Sequence, residues 1–395
     1  MSDQWVETTL EDACRSIKRG KAPKYVDEGR LVLNQKCVRD GNRIDFSLAR
    51  QTELSRALPE YAYLRVGDVL INSTGRGTLG RAAELRELSE PATADSHITI
   101  VRPDPERFVL GFAGLILSMR KADFESLQTG STNQTELSAK TIASVSIVLP
   151  PIRVQERIVE IISAVDDQIS ALDDEARALE SVYRAAASLL WCTNDGNEAD
   201  LRFLGEAMHL DVVRTRMEAG KTYHLAGVLN AGKGLVDKDE FDGADTEYTA
   251  MNVLRENQVV MRKLTAWEGP ITVVPVEFDG FVASNEFPTF TLAGDIAPGW
   301  MKHVCRTPRL WAEMQSRVVG TVQRRKRLNP DQLLSVALPI PSRPEQEQAA
   351  EALDSIEGQI AELRAEGASL RQARARLLAG LLDRTIDIES AELEV

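Results

Sequence analysis

The chain has few of the features that would place it in a membrane, outside the cell or around a metal. Its 395 residues include four cysteines, and none of them belongs to a CxxC pair. No run of 18 apolar residues occurs, which excludes a typical membrane-spanning helix. The acidic start MSDQWVETTLEDAC also has no apolar core of a secretion signal. We therefore expect reduced thiols and a cytoplasmic protein with no membrane partner.

Catalytic signatures are equally scarce. The sequence contains no Gly-x-Ser-x-Gly, HExxH or complete P-loop, and Asn329-Pro330-Asp331 departs from the Asn/Asp-Pro-Pro-aromatic motif of adenine methyltransferases after one proline. The histidines show no metal-ligand spacing with one another or with the cysteines; they are His97, His209, His224 and His303. We therefore expect no chemistry of its own, no cofactor and no bound metal.

Two glycine-rich segments match nucleotide-binding loops only in part. Gly75–Gly80 reads GxGxxG, but no βαβ unit surrounds it and Asp95 is only roughly where the ribose-binding acid would stand. Gly227–Lys233 resembles a Walker A loop, but Gly234 replaces the Ser or Thr that holds magnesium. Both segments favour tight turns, and Arg76 gives the first a cation suited to phosphate.

The net charge of −13 looks unsuited to nucleic acid, but the distribution of charge changes that interpretation. Residues 1–152 hold 20 basic and 20 acidic side chains, and residues 201–342 hold 17 of each. The acidic excess therefore lies in 153–200 and 343–395. Local basic surfaces on the two neutral regions are compatible with this balance.

The dominant feature of the chain is an internal repeat. Residues 145–162 read VSIVLPPIRVQERIVEII, residues 336–353 read VALPIPSRPEQEQAAEAL, and Gln346 lies 191 residues after Gln155. Apolar or small residues then recur at spacings of four and three, which is typical of a coiled-coil seam, and only Arg374 interrupts the second seam. The pattern predicts two helices of roughly 40 residues, about 60 Å each, that pack on one another. Packing of each helix on its own domain is the alternative. The seam positions are 158, 162, 165, 169, 172, 176, 179, 183, 186 and 190, and 349, 353, 356, 360, 363, 367, 370, 377 and 381.

The regions between these helices read as two mixed α/β domains, 1–150 and 201–342. Helices are expected over Val109–Glu125 and Trp300–Val318, at matching places in the two domains. The expected strands are Leu31–Leu33, Val69–Asn72, His97–Val101, Val145–Leu149, Val259–Met261, Ile271–Val276, Phe281–Ala283 and Thr289–Leu292. Residues 151–192 and 343–384 then form the long helices, 193–200 a polar linker and 385–395 an acidic tail.

Three segments resemble the DNA-specificity subunit of type I restriction-modification systems. They are GDVLINSTGRGTLGR (67–81), GSTNQTELSAKTIASVSIVLPPIRVQERIV (130–159) and GTVQRRKRLNPDQLLSVALPIPSRPEQEQAA (320–350). The resemblance implies an α+β fold with an internal pseudo-two-fold repeat, in which two mixed α/β target-recognition domains are joined by two long antiparallel coiled-coil helices. The second copy departs where Gly67-Asp68 become Asn257-Gln258, which affects the expected loop geometry more than the fold.

The same resemblance implies a function. Each recognition domain would read one half of a bipartite, asymmetric double-stranded DNA target. The helices would set the spacing between the half-sites and dock two methyltransferase subunits, with restriction subunits in some systems. A coiled-coil scaffold without DNA specificity, a subunit of a related defence system and an enzyme using the glycine loop remain alternatives.

The predicted DNA contacts lie in basic or amide-rich segments. Arginine forks match guanine edges, Lys and Arg neutralise phosphates, and amides suit adenine. In each domain, one of these segments lies just before the strand that leads into the long helix. The predicted residues are Lys18, Arg19, Lys21, Lys24, Arg76, Ser131, Thr132, Asn133, Gln134, Gln323, Arg324, Arg325, Lys326 and Arg327.

Overall fold

A computed structural model describes residues 4–54, 57–129, 136–192, 201–319 and 327–388. The chain forms two compact units, the first made of residues 1–170 and 368–395 and the second of residues 171–367. Each unit therefore contains part of each long helix. Among the described residues, no helix is long and apolar enough to cross a membrane.

The first unit is built mainly from short strands. Its strands are β1 (Val6–Thr9), β2 (Cys14–Arg19), β3 (Tyr25–Val26), β4 (Arg30–Leu33), β5 (Val38–Arg39), β6 (Arg43–Ile44), β7 (Arg50–Thr52), β8 (Val69–Asn72), β9 (Ala82–Glu84), β10 (Ala92–Ala94), β11 (Ile98–Pro103) and β12 (Ser146–Leu149). Its helices are α1 (Leu10–Ala13), α2 (Phe112–Ser118), α3 (Lys121–Ser126), α4 (Ala139–Ala143) and the start of α5 (Ile152–Ser188).

The second unit has the same order of elements around a different set of central strands. Its strands are β13 (Leu201–Phe203), β14 (Met208–Leu210), β15 (Val213–Arg216), β16 (Thr222–Val228), β17 (Leu235–Asp242), β18 (Ala250–Val253), β19 (Val259–Met261), β20 (Ile271–Val273), β21 (Val282–Ala283), β22 (Thr289–Leu292) and β23 (Ala337–Pro339). Its helices are α6 (Leu204–Ala207), α7 (Pro298–Cys305), α8 (Pro308–Arg317), α9 (Pro330–Leu334) and the start of α10 (Arg343–Leu382).

One four-stranded antiparallel sheet, here called the frame sheet, occurs in both units. Its strand order is β2-β11-β8-β9 in the first unit and β14-β22-β19-β20 in the second. A short two-stranded ladder closes each copy, β1 with β12 and β13 with β23. The repeat seen at the helix junctions therefore extends through the framework of both units.

A further sheet in each unit, here called the variable sheet, differs between them. In the first unit it has four strands in the order β10-β4-β7-β3, with β10 parallel to β4. In the second it has five strands in the order β15-β18-β21-β16-β17, with β16 parallel to β21. The two units thus combine a repeated frame with different variable sheets.

The helices expected over Val109–Glu125 and Trp300–Val318 are each two short helices, so the prediction of single helices is wrong. In the second unit the break lies at Thr307-Pro308, because a residue before proline is pushed out of the helical region and proline itself favours the first turn of a new helix. Thr307 has φ −86° and ψ 133°, and its hydroxyl accepts a hydrogen bond from the Leu310 N–H. In the first unit Arg120 interrupts the helix with ψ 19°.

The strand expected over Ile271–Val276 ends earlier, at Val273. Pro275 has no N–H with which to continue a ladder, and a 3₁₀ turn follows at Val276–Phe278. The expected strands Val69–Asn72, Val259–Met261 and Thr289–Leu292 are confirmed at both ends.

A buried glutamine at the start of each long helix explains the repeated Gln-Glu pair. Gln155 accepts a hydrogen bond from the Val109 N–H at 3.0 Å and donates to the carbonyls of Arg107 and Pro150 at 2.9 and 3.0 Å. Gln346 makes the same three kinds of bond, accepting from the Ala297 N–H at 2.8 Å and donating to the carbonyls of Asp295 and Pro341 at 3.1 and 2.9 Å. In both units the glutamine side chain fastens the helix to backbone groups of the domain.

The predicted helix seam is confirmed by burial and by contacts between the helices. In the first unit Ile158 and Ile162 of α5 share one core with Leu378 and Leu381 of α10, and in the second unit Glu180 of α5 pairs with Arg364 of α10. In the first unit Asp166 of α5 also pairs with Arg374 of α10, and in the second Ala186 and Leu190 line one cavity with Leu353 and Ala349, so the two helices are antiparallel within each unit. The buried seam residues are Ile158, Ile162, Ile169, Leu172, Ala176, Leu353, Ile360, Gly367 and Leu381.

Arg374, the one interruption of the seam, is buried rather than turned outward. Its Nε and Nη2 donate to the two carboxylate oxygens of Asp166 on α5 at 2.5 and 2.8 Å, and its side chain is 10% exposed. A bidentate ion pair therefore replaces an apolar contact at this position, and it satisfies the charge that the seam would otherwise leave unpaired.

The departures of the second copy from the first are accommodated locally. Asn257 replaces Gly67 and keeps a left-handed backbone, φ 63° against 92°, which asparagine tolerates better than most residues. Asp68 forms a buried ion pair with Arg102 at 2.7 Å. At the matching position, Gln258 donates instead to the Thr291 hydroxyl at 2.9 Å. A charged pair in one frame sheet is thus a neutral pair in the other.

Candidate nucleic-acid interface

Two of the predicted contact segments are flanked by residues that pair with each other through the backbone. Thr129 and Glu136 exchange backbone hydrogen bonds of 3.0 and 2.9 Å, and Val319 and Arg327 exchange two of 3.0 Å. One such antiparallel bridge therefore lies at the equivalent place of each unit. The predicted residues between these pairs lie outside the described residues, and they are Ser131, Thr132, Asn133, Gln134, Gln323, Arg324, Arg325 and Lys326.

The two backbone bridges carry ion pairs of opposite charge order. In the first unit Glu136 of the bridge pairs with Arg19 of β2. In the second, Arg327 of the bridge pairs with Glu286 at 3.2 Å, and its side chain remains 52% exposed. Arg19 and Arg327 therefore both lie at a bridge, but each is already partly neutralised.

The lysines of the first basic cluster are all exposed, with different partners. Lys18 lies on β2, Lys21 stands 5.6 Å from the centroid of the Tyr61 ring, and Lys24 pairs with Glu53 at 2.6 Å. The cluster is thus a surface feature, and the ion pair of Lys24 lowers its availability for phosphate.

The GxGxxG segment is a turn between two antiparallel strands. It connects β8 to β9, and Gly75, Gly77 and Gly80 all have positive φ. A Cβ at Gly80 would lie 2.8 Å from the Lys121 carbonyl oxygen, so glycine is required there by both backbone angle and space. No helix opens at the third glycine, so this described turn does not have the geometry of a dinucleotide-binding loop. Arg76 projects from this turn as an exposed side chain.

The Walker-like segment is also a hairpin. It joins β16 to β17, which pair antiparallel, and Lys233 is exposed at its tip. The expected tight turn is confirmed, and it carries a cation at its tip.

The sequence did not single out the most distinctive surface of the first unit. On and beside its variable sheet, three cations lie over tyrosine rings, an arrangement that suits both phosphate and base recognition. The pairs are Lys21 over Tyr61 at 5.6 Å, Arg30 over Tyr63 at 4.9 Å and Arg50 over Tyr25 at 3.5 Å. The basic charge of this surface could be seen in the sequence, because residues 18–54 contain nine basic and five acidic residues. The aromatic partners could not be assigned without the strand register.

The variable sheet of the second unit has a different chemistry. Arg214 and Arg216 are exposed on β15, and His224 stacks on Phe281 with ring centroids 5.0 Å apart. His224 also lies 3.2 Å from Glu240 of β17, a strand rich in acidic residues. This sheet therefore presents mixed charge, whereas that of the first unit is mainly basic.

The structure brings one histidine together with carboxylates, which sequence spacing could not reveal. His303 is fully buried, and its Nδ1 and Nε2 lie 2.9 Å from the Tyr183 hydroxyl and 3.1 Å from Asp354. Burial is the main cause that lowers the pKa of His303. The ligand atoms of His303, Asp354 and Glu357 are close enough for a metal. Neighbouring cations already neutralise both carboxylates, Lys302 bridging them and Arg306 pairing with Glu357, so the cluster is better explained as a polar junction.

Comparison with known proteins agrees with this geometry. Residues 3–180 match the family described as the type I restriction modification DNA specificity domain. No curated protein matches the chain. The S subunit of a type I restriction-modification system from M. genitalium superposes with a TM-score of 0.54 at 15% identity, over 96% of each chain. A chain from a structure on complex assembly and conformational transition of the type I R-M system gives a TM-score of 0.57 at 15% identity, over 96% of this chain and 97% of that one.

These matches agree with the sequence resemblance in both family and fold. The family domain covers the first frame and variable sheets and most of α5, and the fold similarity extends over the second copy. Residues 3–180 are therefore similar to the type I restriction modification DNA specificity domain, and the chain as a whole shares the fold of these two solved structures.

Proposed function

We propose that this subunit reads a bipartite, asymmetric double-stranded DNA target, with one half-site assigned to each recognition domain. The observation that carries the proposal is the repeated frame sheet with two different variable sheets. Similar frames favour similar placement on DNA, whereas different reading surfaces favour different base sequences.

The role assigned to each residue range follows the internal repeat. Residues 1–150 form the first target-recognition domain and 201–342 the second. Residues 151–192 and 343–384 form the conserved helices, joined by the linker 193–200 and followed by the tail 385–395. The DNA-facing parts are the variable sheets, the turn with Arg76 and the segments between Thr129 and Glu136 and between Val319 and Arg327. The net charge of residues 1–152 is zero, with 20 basic and 20 acidic residues, and is compatible with such local basic surfaces.

The helices dock two copies of an adenine methyltransferase subunit and, in systems that have them, restriction subunits. Support comes from the outer faces of α5 and α10, which remain exposed over most of their length while the seam is buried. The chain itself supplies no catalytic step, and the complex works in the cytoplasm.

Genome-wide mapping of methylated adenine tests the proposal. In the source cell, deletion of this chain should remove methylation from one bipartite motif and leave other motifs unchanged. Binding of the assembled methyltransferase complex to a random DNA pool should select the same motif and weaken steeply with salt. Unchanged methylation together with no sequence selection would favour a scaffold without DNA specificity.

A further inference from the structure

Arg50 in the variable sheet of the first unit lies over an aromatic ring. Tyr25 of β3 lies opposite Thr52 of β7, so Arg50, two residues before Thr52, is its diagonal neighbour on the same face. The guanidinium carbon lies 3.5 Å from the centre of the Tyr25 ring, the shortest of the three cation–ring distances on and beside this sheet. Such stacking orients the planar fork and leaves its N–H edge free to point away from the ring.

The fork of Arg50 is exposed and chemically free. Within the part of the chain that the structure describes, no carboxylate and no carbonyl is bonded to its guanidinium, and its residue is exposed. Neighbouring cations differ in this respect, since Arg19 pairs with Glu136, Lys24 pairs with Glu53, and Arg30 donates to the Leu54 carbonyl at 3.5 Å. Arg50 therefore combines a fixed orientation with unused donors.

The ring beneath Arg50 is uncharged. Burial, with the nearby Asp95 charge, raises the pKa of Tyr25, so the phenol keeps its proton at neutral pH. Asp95 itself is 3% exposed, and its Oδ1 accepts a hydrogen bond from the His97 N–H at 2.8 Å. The guanidinium therefore lies over a neutral ring whose face attracts a cation.

We propose that Arg50, positioned by Tyr25, reads a guanine by a bidentate contact in the half-site recognised by the first unit. A stacked arginine fork matches the O6 and N7 acceptors of guanine in the major groove, and a lysine at the same place offers charge without the fork. The proposal rests on the proposed DNA-reading function of the variable sheet. Tyr25 acts as a positioning residue, because it holds the arginine and does not touch the base.

The test compares Arg50→Lys with the parent in the assembled methyltransferase complex, selected on a random DNA pool and sequenced. Arg50→Lys keeps the positive charge and should lower discrimination at one base pair of one half-site by roughly 5- to 150-fold, the range of a bidentate arginine–guanine contact. The other half-site should be unchanged. Tyr25→Leu, which removes the platform, should relax the same base pair, and adding it to Arg50→Lys should cost less than the sum of the two single effects.

Arg43→Lys is the matched control, because Arg43 is also an exposed arginine on a short strand of the first unit, and it stacks on none of the described aromatic rings. It should leave the selected motif unchanged. If the parent selects a bipartite motif and Arg50→Lys selects the same motif with the same discrimination, the inference is wrong while the proposed function stands. If the parent selects no motif, the proposed function itself fails.

Discussion

The single residue that most clearly carries the repeat is the glutamine at the start of each long helix. Its three hydrogen bonds satisfy one N–H and two carbonyl groups in a place with almost no solvent, since Gln155 is 1% exposed and Gln346 fully buried. Sequence comparison found this residue by its recurrence. It could not say why glutamine is required, because its partners are backbone groups up to 51 residues away.

Gln155→Leu should destabilise the first unit by on the order of 3 kcal/mol, because it leaves three buried backbone groups without partners. Glu156→Ala, at the exposed neighbouring position, should change stability by no more than about 0.5 kcal/mol. Urea unfolding followed by hydrogen exchange in α5 checks both variants. Equal midpoints for the two would show that the glutamine bonds contribute little.

The basic run that ends at Arg327 supports another prediction at this scale. Replacing Arg324, Arg325, Lys326 and Arg327 with alanine should weaken DNA binding and reduce the log–log salt slope by roughly 0.9 for each phosphate that is no longer neutralised. The measurement is a salt titration of the assembled methyltransferase complex. An unchanged affinity and slope in an intact complex would identify the run as a solvated surface, and would leave most of the backbone contact to Lys18–Lys24.

Among the elements, the two long helices were the most predictable and the domain strands the least. A seam repeated every seven residues depends only on local spacing, so its register could be derived directly. The variable sheets join strands distant in sequence, including parallel pairs, and short strands of two or three residues carry little periodic signal. The contact between Arg50 and Tyr25 could not be predicted either, because it depends on the pairing of β3 with β7.

Arg374 supports a prediction for the helix pair. Arg374→Ala should destabilise the first unit by on the order of 2 kcal/mol, discounted from a fully buried pair because Asp166 is 36% exposed. Arg376→Ala, at an exposed position two residues away, is the control, and urea unfolding provides the measurement. Replacing Arg374 and Asp166 together with leucine should recover part of the stability, because no unpaired charge then remains. A double variant less stable than Arg374→Ala would contradict this account.

The length of the helices supports a second prediction for these elements. Inserting seven residues at matched points of α5 and α10 preserves the seam and adds about 10 Å, equivalent to roughly three base pairs of DNA. The unread spacer of the methylated motif should therefore lengthen. An insertion of five residues serves as the control, because it rotates the apolar stripe by about 140° out of register. Retained methylation at the original spacing after the seven-residue insertion would exclude the helices as the ruler.

For the whole molecule, independence of the two recognition domains is the main expectation. Exchanging residues 1–150 for the equivalent domain of a related subunit should alter one half of the methylated motif and preserve the other. Methylome sequencing of cells that carry the chimera provides the measurement. A change in both halves would mean that the domains read DNA jointly.

The fastening by Gln155 and Gln346 has an evolutionary consequence. Each glutamine binds only main-chain atoms of its domain, so it places no demand on the side chains that read DNA. Genetic crossovers at the two repeated motifs should therefore yield folded chimeras even between distant alleles. A population could acquire new methylation motifs by recombining whole domains, with no need for gradual mutation of an existing reader.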